Sequence, residues 1–425
     1  MTEAFLHHVW QHQLFKKDDL KTTEGDSLEI IKVGDLNRDA GPDFFSASIR
    51  INGTLWIGTV EIHLNSSEWR KHKHEQDAAY DNCILHVVYV EDESSYRNNG
   101  QKICCLELKG RLLENVLENY LRLLDTHSWI PCTHRIREVD QITILSWLDR
   151  LAVERLEQKT SIVFQVLENN ENDWEKAFYE LLFAGFGFNL NALPFSMLFR
   201  ALPFELIQRF RDKPIKIEAL LFGSGGMLGL ECPDQYSKIL QDEYAYFRNA
   251  YNLQSIDASC WKFLRLRPVN FPTIRIAQLA NLLTKTNRLF SEILEIKDFA
   301  EGKKIFQVAA SSYWSMHYNF GKKSPERRKI LGNKSIESIF INVIAPVLFS
   351  YGMRNNSLKH RDRAVLILEE IAGEVNSIIS KWIEIGIKPQ SALHSQALLT
   401  LKKNYCSEKK CLTCGIGISL INKLP

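Results

Sequence analysis

Asp43, Glu61, His63, His72, His74, Asp77 and His86 bring three acids and four histidines into a span of fifty residues. These are the donors of a divalent-metal site: carboxylate and carbonyl oxygens suit Mg²⁺ or Mn²⁺, and imidazoles suit Zn²⁺. Glu61 and His63 lie two apart on a strand-like run over residues 55–63, so their side chains share one face. Asp43 precedes the strand-like run over residues 44–51, and Asn52-Gly53 between the two runs signals a tight hairpin. The hairpin predicts Asp43 beside the far end of its partner strand. Asp43 and Glu61 would then hold Mg²⁺ or Mn²⁺, with the Ile62 carbonyl as a further donor and Glu3, on the first helix, as a weaker additional acid. The same residues allow a second reading, in which His63, His72, His74 and His86 with Asp77 hold Zn²⁺ or a pair of metals. In that reading His72 and His74 share a face only on extended or loop backbone, not on a helix.

A second metal signal closes the chain. Cys406, Cys411 and Cys414 fall within nine residues, and the last two have the C-x2-C spacing that lets both sulfurs reach one ion. They predict a cysteine knuckle for Zn²⁺ or an iron–sulfur cluster, with a fourth ligand from Cys132, Cys260 or His394. The site would be structural. Between residues 301 and 363, twelve Lys and Arg face four acids, a local excess of +8. Lys322, Lys323, Arg327, Arg328 and Lys329, with Tyr313, Trp314, His317, Tyr318 and Phe320 among them, predict a surface for a phosphate backbone with stacking side chains.

The elements that position these groups follow from periodicity. Phe5, Val9, Trp10 and Leu14 predict an amphipathic first helix over residues 3–16. Strand-like runs at 28–33, 44–51, 55–63, 84–90 and 103–108, with a short helix near residues 71–81, give the order helix, three strands, helix, two strands. From Arg111 onward the pattern is helical, with long helices expected at residues 140–167, 335–349 and 361–382. At 425 residues the chain exceeds one core of usual size. The divisions expected are 1–135, an α/β domain, 136–300, a helical domain, and 301–425, a basic helical region with the cysteine motif. Hydrophobic content of 45%, charged content of 24% and a net charge of +2 describe an ordinary globular chain and leave a polyanionic partner open. No basic leader and no unbroken apolar run of membrane-spanning length is present, so the expectation is a cytoplasmic protein with no membrane partner.

Gly-Pro-Asp43, a hairpin and then Glu61-x-His63, within this order of elements, resembles the PD-(D/E)xK nuclease superfamily. The resemblance covers roughly the first 110 residues. It implies an N-terminal α/β domain with a mixed sheet, which with the helical pattern after Arg111 makes the expected fold class α+β, mostly helical beyond that domain. It also implies metal-dependent hydrolysis of DNA or RNA phosphodiesters, with Asp43 and Glu61 as ligands and His63 where the superfamily has Lys. There His63 acts as a general base or as an extra ligand. Some members of that superfamily carry an iron–sulfur cluster joining one distant cysteine to three C-terminal ones, a part Cys132 would take. Over nearly its whole length the chain also resembles an uncharacterised bacterial family known only as a domain of unknown function. The residues that carry this are Asp39-Ala-Gly-Pro-Asp43-Phe, Gly58-Thr-Val-Glu-Ile-His63, Trp69, His72-Lys-His74, Asp77, Tyr80, Leu85-His-Val-Val88, Arg267-Pro-Val-Asn-Phe-Pro272 and the cysteine-rich end. Beside the nuclease stand two alternatives: a zinc or dinuclear hydrolase of another substrate, and a non-catalytic nucleic-acid-binding protein.

Overall fold

The computed structural model describes residues 1–229 and 233–423. Two compact units make up the chain: residues 1–147 with 401–425, and residues 148–400. The three divisions expected from sequence become two because the last helical segment returns to the N-terminal unit, where Asn119 Nδ2 donates to the Lys423 carbonyl (3.2 Å) and His8 Nε2 faces Asn422 Oδ1 (2.8 Å).

In the N-terminal unit, helix α1 (Glu3–Gln11) starts at Thr2, whose hydroxyl caps the Phe5 N–H. It ends before Leu14, at a turn with Gln13 in the left-handed region. Five strands lie side by side in the order β1 (Leu28–Lys32), β3 (Phe44–Ile51), β4 (Thr54–Asn65), β5 (Cys83–Val90) and β6 (Cys105–Glu107), and the short β2 (Asp35–Leu36) pairs with the start of β3. β1, β2, β3 and β4 pair antiparallel, whereas β4–β5 and β5–β6 pair parallel. The fold is therefore α+β with a mixed sheet, and the strand expected over 103–108 shortens to three residues.

Parallel pairing of β4 with β5 constrains the connection between them. A chain leaving β4 must cross one face of the sheet before it can enter β5 in the same direction. The crossover contains α2 (Glu68–Lys71) and two single 3₁₀ turns, His74–Gln76 and Ala78–Tyr80, where the sequence suggested one short helix. Trp69 and Tyr80 pack with Cys83 and Ile103 into a buried cluster beneath it. Close approach of β4 and β5 depends on Gly58, where a Cβ would lie 2.5 Å from the Asn82 carbonyl oxygen and 2.5 Å from the Ile84 side chain.

The second unit is helical. Helix α3 (Val116–Leu124) belongs to the N-terminal unit, and the boundary between the units falls within α4 (Gln141–Asn169). Next comes α5 (Trp174–Ala201), capped by Asp173 and kinked where Phe188 departs from helical backbone. By length and composition alone, α5 and the helical run 333–354 are long and apolar enough to cross a membrane, and 44% and 72% of their most apolar windows are buried within the structure. The helix expected over 361–382 is two helices, Leu358–Glu370 and Ser377–Glu384. The break has a local cause: the Ile371 carbonyl accepts from the Ala392 N–H (2.7 Å), the Glu374 N–H donates to Ser395 Oγ (2.9 Å), and Asn376 caps the second helix.

Candidate metal centre

β4 carries Glu61 and His63 on one face, and the β4–β5 register places Glu61 opposite His86, so all three point to the side the crossover covers. They are deeply buried, with exposures of 5%, 2% and 0%. The crossover brings His72 and His74 over the same face. Lys73 between them adopts φ 62°, and this left-handed residue reverses the backbone so that both neighbouring rings turn inward. Neither a strand nor a helix was needed.

Nε2 of His63 lies 3.2 Å from Nδ1 of His72, and Glu61 Oε1 lies 3.6 Å from His63 Nε2 and 3.3 Å from His74 Nε2. One ring nitrogen from each of His63, His72 and His74 falls within 4.8 Å of the others, an arrangement able to hold a metal ion. The buried Nε2 of His74 has no aligned hydrogen-bond partner despite the nearby carboxylate. His72 is exposed, so the cluster opens to solvent on one side.

A support chain holds His63 from behind. Its Nδ1 faces His86 Nε2 at 2.8 Å, and His86 Nδ1 faces Ser95 Oγ at 2.8 Å. In the tautomer in which His86 donates to Ser95, His63 donates to His86 and keeps its Nε2 lone pair for the cluster, the arrangement that orients metal-binding histidines. Burial, reinforced by His86 and the other imidazoles, pulls His63 down to about 2, and burial pulls His86 down to about 3, so both rings stay neutral and His63 is able to ligate. Burial also raises the Glu61 carboxyl, with the Asp43 charge adding to the rise and His74 opposing it.

Asp43 sits where the hairpin predicts, but it is tied to backbone and to α1. Its Oδ2 accepts from the Ile62 N–H (2.9 Å) and pairs with His7 Nε2 (3.2 Å), and its own N–H donates to Glu61 Oε2 (3.1 Å). Ile62 thus offers its N–H to Asp43. His7 was not singled out in the sequence. The available signal was its i, i+4 spacing from Glu3 on an amphipathic helix. Although burial opposes it, Asp43 raises the His7 pKa, while burial together with Glu68 and Asp43 raises that of Glu3. Asp77 stays outside the cluster: it is exposed and caps the Ala79 N–H (2.9 Å).

The other expected sites lie apart. Cys406, Cys411 and Cys414 gather with Cys132 in the N-terminal unit. Cys260 and His394 belong to the second unit, His394 paired with Asp149 at 3.1 Å. Also in that unit, Lys322 and Lys323 are exposed on β8 (Lys322–Lys323), which pairs with β7 (His317–Asn319). Lys329 is buried, donates to the Ser315 carbonyl (2.7 Å) and lies over the Tyr318 ring, so it is no surface phosphate contact. The aromatic residues expected to stack on bases pack on each other instead: Trp314 is fully buried and Tyr313 stacks on Tyr236 and His317. Arg327 and Arg328 line a cavity of about 450 Å³ with Arg275. Arg275 is 5% exposed, its partners Asn270, Gln278 and Ser335 are neutral, and burial lowers its pKa to about 10.

No curated protein and no solved structure matches this chain. A family model described as "Protein of unknown function (DUF2851)" matches residues 3–377, a span that includes the histidine cluster and Cys132 and stops before Cys406.

Proposed function

The chain belongs to this family of unknown function, and because the family supplies no reaction, we propose from the site itself that the protein is a metal-dependent hydrolase centred on His63, His72 and His74, with Glu61 beside them. The observation that carries this reading is the convergence of three imidazole nitrogens within 4.8 Å next to a buried carboxylate. Three imidazoles favour Zn²⁺ or another transition metal over the Mg²⁺ that a two-carboxylate site would select. Such an ion, when bound, supplies a water that ionises near neutral pH. The chain's own groups divide the remaining work. Glu61 accepts a proton at Oε1, the Ser95–His86 chain fixes the His63 ring, and His7, whose pKa Asp43 raises, donates to a leaving oxygen from α1.

The substrate class we favour is a phosphodiester of DNA or RNA. Asp43 beside Glu61-x-His63 is consistent with the nuclease resemblance, and the Arg275, Arg327 and Arg328 cavity is consistent with an anionic ligand. In this reading Asp43 acts through His7 and the Ile62 backbone instead of as a lone carboxylate ligand. A second reading, a zinc hydrolase of another ester or amide, rests on the same three imidazoles and does not need the basic cavity. The test is hydrolysis of DNA, RNA and small ester and phosphate substrates by the metal-loaded protein, with Glu61→Ala alongside. Nucleic-acid cleavage lost in Glu61→Ala supports the nuclease, turnover confined to small substrates supports the second reading, and cleavage undiminished in Glu61→Ala sinks both.

A further inference from the structure

Four cysteines that are far apart in the chain meet in the N-terminal unit. Cys132 follows α3 in a turn whose carbonyl accepts from the Arg135 and Ile136 N–H groups. Cys406 ends the π-helical segment Leu401–Cys406, Cys411 opens the 3₁₀ turn Cys411–Thr413, and Cys414 sits just before the helix Gly415–Ile421. All four line one small cavity with Pro131 and Tyr405, and all are free thiols. Cys132, Cys411 and Cys414 are buried.

The surroundings suit thiolates. The Cys414 sulfur sits at the start of the helix Gly415–Ile421, beside the backbone amides of Ile416 and Gly417. Gly417 is required for this fit, since a Cβ there would stand 2.2 Å from the Cys411 carbonyl oxygen. Lys402 and Lys409 act on Cys406 and Cys411, and among the described residues no carboxylate lines the cavity. A thiophilic cation held by the four would replace their thiol protons, released to solvent, with one shared positive centre.

We propose that Cys132, Cys406, Cys411 and Cys414 ligate a thiophilic metal centre, an iron–sulfur cluster or Zn²⁺, that clasps the C-terminal segment onto the N-terminal unit. C-x4-C-x2-C with one distant cysteine is the ligand spacing of plant-type [2Fe–2S] proteins, and C-x2-C alone serves structural zinc equally well. The chemistry they share is thiolate ligation. This centre is separate from the histidine cluster and does not depend on the hydrolase reading.

The full chain, purified without oxygen, is assayed for iron, zinc, acid-labile sulfide and visible absorption. The expectation is roughly two to four irons with sulfide and a visible band, or about one zinc beyond any bound at the histidine cluster. That metal should be lost in Cys132→Ser and Cys411→Ser, and kept in Cys260→Ser and in the double variant His72→Ala/His74→Ala. Because a cysteine variant can fail to fold, the wild-type chain is also stripped and reloaded with Co²⁺, where a sulfur-to-cobalt charge-transfer band is expected. Either identity of the metal supports the site. A wild-type chain with neither metal nor a cobalt–thiolate band, or a Cys132→Ser variant that keeps the full complement, overturns it.

Discussion

Nε2 of His63 and Nδ1 of His72 face each other at 3.2 Å. Two imidazole lone pairs repel at that distance unless a proton or a cation lies between them. His72→Ala and His74→Ala should each lower affinity for Zn²⁺ or Mn²⁺ by at least tenfold, whereas Asp43→Ala, with its carboxylate committed to Ile62 and His7, should leave metal content near the wild-type value. Metal titration by calorimetry on the three variants checks this, and equal loss in Asp43→Ala would point back to a carboxylate site.

Ser95 lies two hydrogen bonds from the cluster, yet Ser95→Ala should be felt there. Removing its oxygen leaves His86 Nδ1 unpaired in a fully buried position and frees the His63 ring. A loss of about 10- to 100-fold in metal affinity is expected, as for other groups that orient ligating histidines. Affinity unchanged in this variant would show that the Ser95–His86 chain does not support the cluster.

His7→Gln separates binding from proton transfer. The metal should remain bound, while turnover falls by roughly 10²-fold and the alkaline limb of the pH profile disappears, because the imidazolium that Asp43 sustains is gone. Stopped activity with parallel metal loss would instead make His7 structural.

His8, on the next position of α1, reports stability and not chemistry. Burial lowers its pKa to about 4 from an ordinary 6.5, against the opposing effect of its Asn422 bond. A folded pKa below the unfolded one gives stability that is complete above pH 6.5 and is lost as pH falls toward 4, on the order of 3 kcal/mol at the acid limit. His8→Gln should flatten that acid limb in denaturant melts between pH 7 and pH 4, and a limb as steep as the wild type's would reject His8 as its source.

Arg327→Ala/Arg328→Ala tests the basic cavity independently of hydrolysis. If both side chains meet phosphates, the slope of log affinity against log salt for single-stranded nucleic acid should drop by roughly 1.4. An unchanged slope would leave these arginines as solvated surface. Gly58→Ala, by contrast, should destabilise the N-terminal unit by about 1–3 kcal/mol, because its Cβ meets the Asn82 carbonyl.

By itself the sequence determined the local elements and the donors. The Asn52-Gly53 turn fixed the β3–β4 hairpin, and a period of two put Glu61 and His63 on one face, because both depend on neighbouring residues alone. It also marked Cys406, Cys411 and Cys414. The tertiary structure decided which donors meet. Parallel pairing of β4 with β5 forces the chain back across the sheet, and that crossover, reversed at Lys73, carries His72 and His74 to Glu61 and His63. Packing of α1 on the sheet brought in His7, and return of the C-terminal segment chose Cys132 over Cys260 and His394. Packing likewise buried Lys329 and Trp314, which local charge and aromatic content had put on a surface. Spacing along the chain records none of these long-range encounters, since burial and strand pairing are settled only when distant segments compete for the same core.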